Sequence, residues 1–193
     1  MCIRDREGSV ELEDTPKEDS AEGIQKLKEL GVSRIVMLTG DNEKAAASAA
    51  EKCGVPEYHA SLLPGDKVDL MEKIRRESGT TLFVGDGIND APVLAASDCG
   101  IAMGLGTDAA IEASDTVLMA DKISKLGDAI SLARRAMKVI RFNIWGSLVV
   151  KALVLILAAF GYAPMALAVF ADVGVTMIAV ANASRILRFR PRI

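Results

Sequence analysis

Histidine occurs once and cysteine only three times in these 193 residues. Cys2, Cys53 and Cys99 are scattered with no Cys-x-x-Cys pairing, and His59 stands beside none of them. That excludes a disulfide framework and a Cys/His zinc site, and leaves buried free thiols in a reducing compartment as the expectation. Aromatic residues are sparse at 4%, and no internal repeat or low-complexity tract is present. The opening Met1-Cys2-Ile3-Arg4-Asp5-Arg6 is charged and lacks an apolar core, so no signal peptide is expected, and residues 1–7 are left unassigned. Acidic residues are nearly missing from the end of the chain. Residues 131–193 hold nine basic groups against Asp172 alone, about +8, whereas residues 1–130 carry about −11. The net −3 therefore conceals two segments of opposite sign. The acidic part has no basic stripe and the charges of the basic part bracket apolar runs, so nucleic acid is not expected as a partner.

What is present over residues 8–127 is an alternation of short apolar runs with helical patterns. Val10 and Leu12 alternate with Glu11 and Glu13, which predicts a strand over 8–14. Pro16 is expected to open a helix with Glu18 and Asp19 in its first turn, Ile24, Leu27 and Leu30 on its buried stripe, and Gly31 as its stop. A buried strand follows at 34–38, then an alanine-rich helix at 43–53 closed by Gly54. Tyr58-His59-Ala60 is a weak strand. A helix beyond Lys67 runs to Arg76, and strands are expected at 80–84, 99–103 and 116–119. Helices are expected from Pro92 and over 109–113. Strands alternating with helices in this way predict an α/β fold: a parallel sheet with helices on both faces.

Three loops of that fold carry chemistry. Phe83-Val84-Gly85-Asp86-Gly87-Ile88-Asn89-Asp90-Ala91 runs from an apolar strand into a sharp turn, placing Asp86 and Asp90 at a strand's carboxyl end. Open α/β sheets hold their ligands there, and Mg²⁺ prefers one or two carboxylates plus phosphate and water. Thr39-Gly40-Asp41 ends another strand and offers a hydroxyl and a glycine-adjacent amide to phosphoryl oxygens. Lys67 opens a helix and supplies positive charge to an oxyanion. Each has a plainer alternative: Thr39 and Asp90 as helix caps, Lys67 as a solvated charge. Taken together on one α/β pattern they point to a Mg²⁺-phosphate site. The glycine-rich turn Gly104-Leu105-Gly106 reads as backbone geometry, with Thr107 or Asp108 capping.

Residues 128–141 predict a basic linker helix. Two apolar runs follow, 142–162 and 164–187, each long enough to cross a bilayer, and 188–193 form a basic tail. A buried soluble hairpin is the alternative, but the flanks oppose it. Arg134, Arg135, Lys138 and Arg141 precede the first run, Arg185, Arg188, Arg190 and Arg192 close the second, and the turn Gly161-Tyr162-Ala163-Pro164 is uncharged. Positive flanks place both ends and the acidic unit in the cytoplasm, with the lipid bilayer as partner. Lys151 and Asp172 are then charges in hydrocarbon, at depths a few ångströms apart in an antiparallel hairpin. Two readings stay open: a cation path in which the ammonium replaces an absent ion on the carboxylate, and a structural ion pair.

Thr39-Gly40-Asp41, Pro64-Gly65-Asp66-Lys67 and Gly85-Asp86-Gly87-Ile88-Asn89-Asp90, followed by two spans, resemble the C-terminal part of a P-type ATPase. The resemblance implies a Rossmann-like, haloacid-dehalogenase-type phosphorylation domain, in part, followed by a two-helix transmembrane hairpin. Asp86 would bind Mg²⁺, supported by Asp90 and Asn89. Thr39 and Gly40 would hold phosphoryl oxygens, Lys67 would neutralise phosphoryl charge, and Asp41 would face the nucleotide, ATP. Lys151 with Asp172-Val173-Gly174 resembles the zinc/cadmium/lead-exporting heavy-metal branch. Asp172 would then meet the transported divalent ion and Lys151 would be its built-in counter-ion. The copper branch usually has Tyr-Asn and Met-x-x-Ser-Ser; here Asn143 follows Phe142, and Ile178, Ala179 and Val180 follow Met177. No Asp-Lys-Thr-Gly-Thr segment is present, nor a nucleotide-binding domain, an actuator loop or a Cys-Pro-Cys helix. The expectation is therefore a piece of a bacterial pump of the cell (inner or plasma) membrane, inactive by itself because the nucleophile is missing, with the remaining domains of the parent as partners. A membrane-tethered phosphatase of the same fold ranks lower, since no Asp-x-Asp lies on a strand end; a non-catalytic remnant is the third reading.

Overall fold

The computed structural model describes residues 16–86, 88–104, 107–162 and 164–188. The chain divides into two units, Met1–Gly127 and Asp128–Ile193. The strand expected over 8–14 and most of the basic tail lie outside the described residues.

In the first unit strands and helices alternate: α1 (Ser20–Glu29), β1 (Val36–Leu38), α2 (Glu43–Cys53), β2 (Glu57–His59), α3 (Pro64–Ser78) and β3 (Leu82–Gly85). A 3₁₀ turn (Ile88–Asp90) leads into α4 (Ala91–Ala96), followed by β4 (Cys99–Met103), α5 (Asp108–Ala113) and β5 (Thr116–Leu118). Every strand pairing is parallel, as the alternation demands: Val36 opposite Glu57, Leu82 opposite Cys99, Ile101 opposite Thr116. Among the described residues the strands pair as two ladders: β1 pairs only with β2, and β3-β4-β5 form the second, so β1 and β3 each hydrogen-bond on one side only. Their apolar runs remain half-exposed, whereas Ile101, Ala102 and Met103 of doubly paired β4 are buried.

The core lies over β4. Val93 and Leu94 of α4 are fully buried, and α4 packs on β3, β4, α3 and α5. Gly100 permits that contact: a Cβ there would sit 2.6 Å from the Leu94 carbonyl oxygen. Ile24 and Leu27 of α1, Ala46 and Ala50 of α2, and Met71 and Ile74 of α3 supply the remaining apolar faces. The helix starts differ from expectation. Pro16 is not in α1, which begins at Ser20 after a turn closed by Ser20 N–H onto the Lys17 carbonyl at 2.9 Å. Asp19 at that start does not cap its own helix; its carboxylate accepts from the amide and hydroxyl of Ser124, both at 3.4 Å. A partner 105 residues away is invisible to a local reading.

α6 (Ser124–Ala159) is one continuous helix of 36 residues, so the basic stretch over 128–141 and the first apolar run are not separate elements. At 1.5 Å per residue it is about 54 Å long. The second apolar run is α7 (Met165–Val169), a π-helical turn (Phe170–Gly174), α8 (Val175–Ser184) and a closing 3₁₀ turn (Arg185–Arg188). Two helices, Ser124–Ala159 and Ala166–Leu187, are long and apolar enough to cross a membrane.

Candidate functional site

The Thr39 loop leaves the end of β1. Its hydroxyl donates to the Asp41 carboxylate at 2.8 Å and accepts from the Asp41 amide at 3.1 Å. Thr39 does not cap α2; Asn42 does, accepting from Ala45 N–H at 3.0 Å. The loop is tied to the segment after β2. Ser61 N–H donates to the Asp41 carbonyl at 2.7 Å and Leu62 N–H to the Thr39 carbonyl at 3.1 Å. Ser61 adopts a left-handed φ of 55° to do so, a strained conformation for a residue with a side chain.

That same segment begins α3. The Asp66 carboxylate accepts from Leu63 N–H at 3.0 Å, which fixes the first turn carrying Lys67. Lys67 Nζ donates to Asp90 Oδ1 at 2.8 Å, with both side chains largely buried. Lys67 is therefore neither solvated nor free, and Asp90 spends its carboxylate on an ammonium rather than on capping α4. A chain of contacts thus runs from Thr39 through residues 61–66 to Lys67 and on to Asp90.

Asp86 follows β3 directly, and Thr107 N–H donates to its carbonyl at 3.3 Å. Thr107 also caps α5, accepting from Ala110 N–H at 3.4 Å. The carboxylate of Asp86 is exposed and has no hydrogen-bond or ion-pair partner among the described residues. Asn89 is likewise exposed, and Gly87 lies outside the described residues. Asp90 folds back over the end of β3: a Cβ at Gly85 would lie 2.8 Å from Asp90 Cβ and 3.1 Å from Oδ2. A glycine at 85 is what leaves room for that carboxylate. Among the described residues no three His, Cys, Asp or Glu side chains gather as a cage. Of the two carboxylates only that of Asp86 is unengaged among the described residues, a hard oxygen donor of the kind that Mg²⁺ takes in ones and twos.

In the second unit Lys151 Nζ donates to Asp172 Oδ1 at 2.7 Å, so these two residues do meet. Asp172 lies inside the π-helical turn, and its carbonyl accepts from the Thr176 hydroxyl at 2.7 Å. Such turns interrupt the regular helical ladder and recur at functional positions. A polar bridge that the sequence reading missed joins the same helices. Asn143 Nδ2 donates to the Ala179 carbonyl at 3.0 Å, and Asn182 Nδ2 to Asn143 Oδ1 at 2.8 Å. Two amides in otherwise apolar runs were the available signal.

Residues 2–98 match the haloacid dehalogenase-like hydrolase family. The chain belongs to that family. Relatives extend the likeness into the hairpin. The chain is 48% identical over 187 residues to the "Cadmium, zinc and cobalt-transporting ATPase" of Bacillus subtilis, covering 95% of itself and 27% of that protein. It is 48% identical over 184 residues to the "Zinc-transporting ATPase" of Synechocystis, covering 94% of itself and 26% of the relative. A crystal structure of a zinc-transporting PIB-type ATPase in its E2.Pi state superposes with a TM-score of 0.85 at 43% identity, over 91% of this chain and 28% of that one. This haloacid dehalogenase-like chain therefore spans about a quarter of the length of the transporters it resembles.

Proposed function

We propose that the chain supplies the phosphoryl-binding edge and a two-helix membrane hairpin of an ATP-driven exporter of divalent heavy-metal ions (Zn²⁺, Cd²⁺ or Pb²⁺), working through an aspartyl-phosphate. The observation that carries this reading is the linked set of three loops at strand ends, Thr39–Asp41, Leu62–Lys67 and Asp86–Asp90, in one chain with the Lys151–Asp172 pair. Thr39 and the Gly40 amide hold phosphoryl oxygens, Asp41 faces the nucleotide, and Lys67 neutralises charge on the phosphoryl group. Asp86 and Asp90 hold Mg²⁺, with Asn89 supporting them. Bound there, Mg²⁺ shields phosphoryl charge. Lys67 already sits on Asp90, so the ammonium is placed for an anion without a long reorganisation.

In the hairpin Asp172 accepts the transported cation and Lys151 takes its place once the ion has left. A charge buried in hydrocarbon is costly alone, so a carboxylate that cycles between an ion and an internal ammonium is never left bare. The remaining pump domains, on whichever polypeptide carries them, supply the nucleophile and the nucleotide pocket. The setting is a bacterial inner membrane, with the acidic unit and both flanks of the hairpin on the cytoplasmic side.

The test is a transplant. This chain replaces the matching quarter of the Bacillus subtilis transporter, and zinc or cadmium transport is read in membrane vesicles. The expected result is transport by the hybrid and its loss in Asp172→Ala. Full transport by the Asp172→Ala hybrid would remove Asp172 from the ion path.

A further inference from the structure

The hairpin of α6 and α8 is tied at two levels, and only one of them is charged. Lys151–Asp172 is the first. The second uses both ends of one amide: Asn143 gives its Nδ2 hydrogen to Ala179 O at 3.0 Å and takes one from Asn182 Nδ2 on its Oδ1 at 2.8 Å. Ala179 and Asn182 are three residues apart and so share a face of α8, which lets one side chain reach both. Asn143 precedes Lys151 by eight residues and Asn182 follows Asp172 by ten. On antiparallel helices that separates the two ties by about 12 to 15 Å.

Flat apolar helices have little to specify their axial register, because lipid tails are as apolar as the side chains they would replace. A lone interhelical amide pair fixes register instead, since a slip of one residue carries each partner about 1.5 Å along and about 100° around its helix. The charged tie needs such a reference. Lys151 has a long flexible stem, and Asp172 lies in a π-helical turn where the ladder is already irregular. Both amides are half-buried, and among the described residues the bonds of their side chains run between helices.

We propose that Asn143 and Asn182 form a positioning clasp that sets the register of α6 against α8 and thereby holds the Lys151 ammonium on Asp172. The clasp rests on the reading of that pair as carboxylate and built-in counter-ion. It acts through Lys151 and Asp172 and does not touch the cation.

The intact chain in lipid nanodiscs is pulsed with formaldehyde and cyanoborohydride, and dimethylation of Lys151 is followed by mass spectrometry. An ammonium engaged by Asp172 reacts slowly. Asp172→Asn sets the rate of the released amine. Asn143→Leu is expected to speed Lys151 labelling by about 3-fold or more for each of the two hydrogen bonds lost, toward the Asp172→Asn rate. Asn182→Ala, which keeps the Asn143–Ala179 bond, gives a smaller acceleration, and adding it to Asn143→Leu gives none further. Asn143→Gln restores part of the protection, which a merely bulk-filling role would not predict. Helicity by circular dichroism confirms that each hairpin is formed; if Asn143→Leu fails to form, Asn182→Ala decides. Acceleration by Asp172→Asn with none from either asparagine variant overturns the clasp alone. No acceleration by Asp172→Asn overturns the ion pair, and with it the counter-ion reading on which the clasp rests.

Discussion

Removing either member of the Lys67–Asp90 pair strands a charge that the fold has largely taken out of water. The side chains are 14% and 17% exposed and meet at 2.8 Å, while the neighbouring Asp66 carboxylate is engaged by Leu63 N–H. A hydrogen bond to a charged group is worth about 1.5 to 3 kcal/mol net, and most of the loss on truncation is the penalty of the group left unpaired. Asp90 leads directly into α4, which packs on β4, so the cost is transmitted to the core. Hydrogen exchange of the β4 amides in the intact chain reads it. Lys67→Met and Asp90→Ala should each raise exchange by about 10- to 150-fold, the range equivalent to that energy. The double variant should be little worse than either single one, because both charges leave together. Strictly additive effects, with a coupling below about 2-fold, would show that α3 and the Asp90 turn are not held by this contact.

Three further outcomes follow from the same coordinates. Gly100→Ala drives a methyl to 2.6 Å from the Leu94 carbonyl and should destabilise the first unit by about 1 to 3 kcal/mol in urea unfolding, whereas Gly65→Ala, with open space, should be near neutral. At the opposite strand ends Arg34 forks onto Glu57 at 2.7 and 2.9 Å and reaches Glu77 at 3.1 Å. The Arg34 hydrogen bonds, above all, hold the Glu57 carboxyl at about 2 against an ordinary 4.5. A carboxylate depressed in the folded state stabilises above its unfolded pKa, so this contribution is intact above about pH 4.5 and fades toward pH 2. Arg34→Ala should flatten that part of the urea midpoint's pH profile; the smaller acid-side loss from Asp98, held low by the Thr81 amide, should remain. In a zinc-transporting hybrid, Lys151→Met should impair ion release more than ion entry, seen as metal retained on the pump after a pulse of ATP.

The loops of the proposed site were legible where residue type alone limits local structure. Aspartates beside glycine at the end of an apolar run, a threonine-glycine pair at another, and a lysine opening a helix are the residues on which the phosphate-edge proposal rests, and each falls at a strand end or helix start. The glycine stop at Gly54 was equally legible, and its φ of 69° is the left-handed value that glycine favours. What stayed hidden was partnership. Thr39 read as a possible cap of α2, but its hydroxyl is engaged with the Asp41 carboxylate and amide, and Asn42 caps the helix instead. Asp19 looked like a first-turn acid of α1 because the Ser124 groups that donate to its carboxylate lie 105 residues on. Residues 128–141 read as a linker helix of their own, yet their good helix formers run on into the apolar stretch and nothing among them breaks α6. Asn143 and Asn182 are 39 residues apart, and only antiparallel packing brings them together.

The most direct measurement is the Mg²⁺ dependence of zinc-stimulated ATP hydrolysis by the transporter carrying this chain as its matching quarter. Asp86 is the one carboxylate at the strand edge that the fold leaves unengaged among the described residues. Asp86→Asn should therefore lower hydrolysis by about 100-fold or more at ordinary Mg²⁺, with partial recovery as Mg²⁺ is raised. Hydrolysis by Asp86→Asn with an unchanged Mg²⁺ curve would contradict the phosphoryl-site account at its centre.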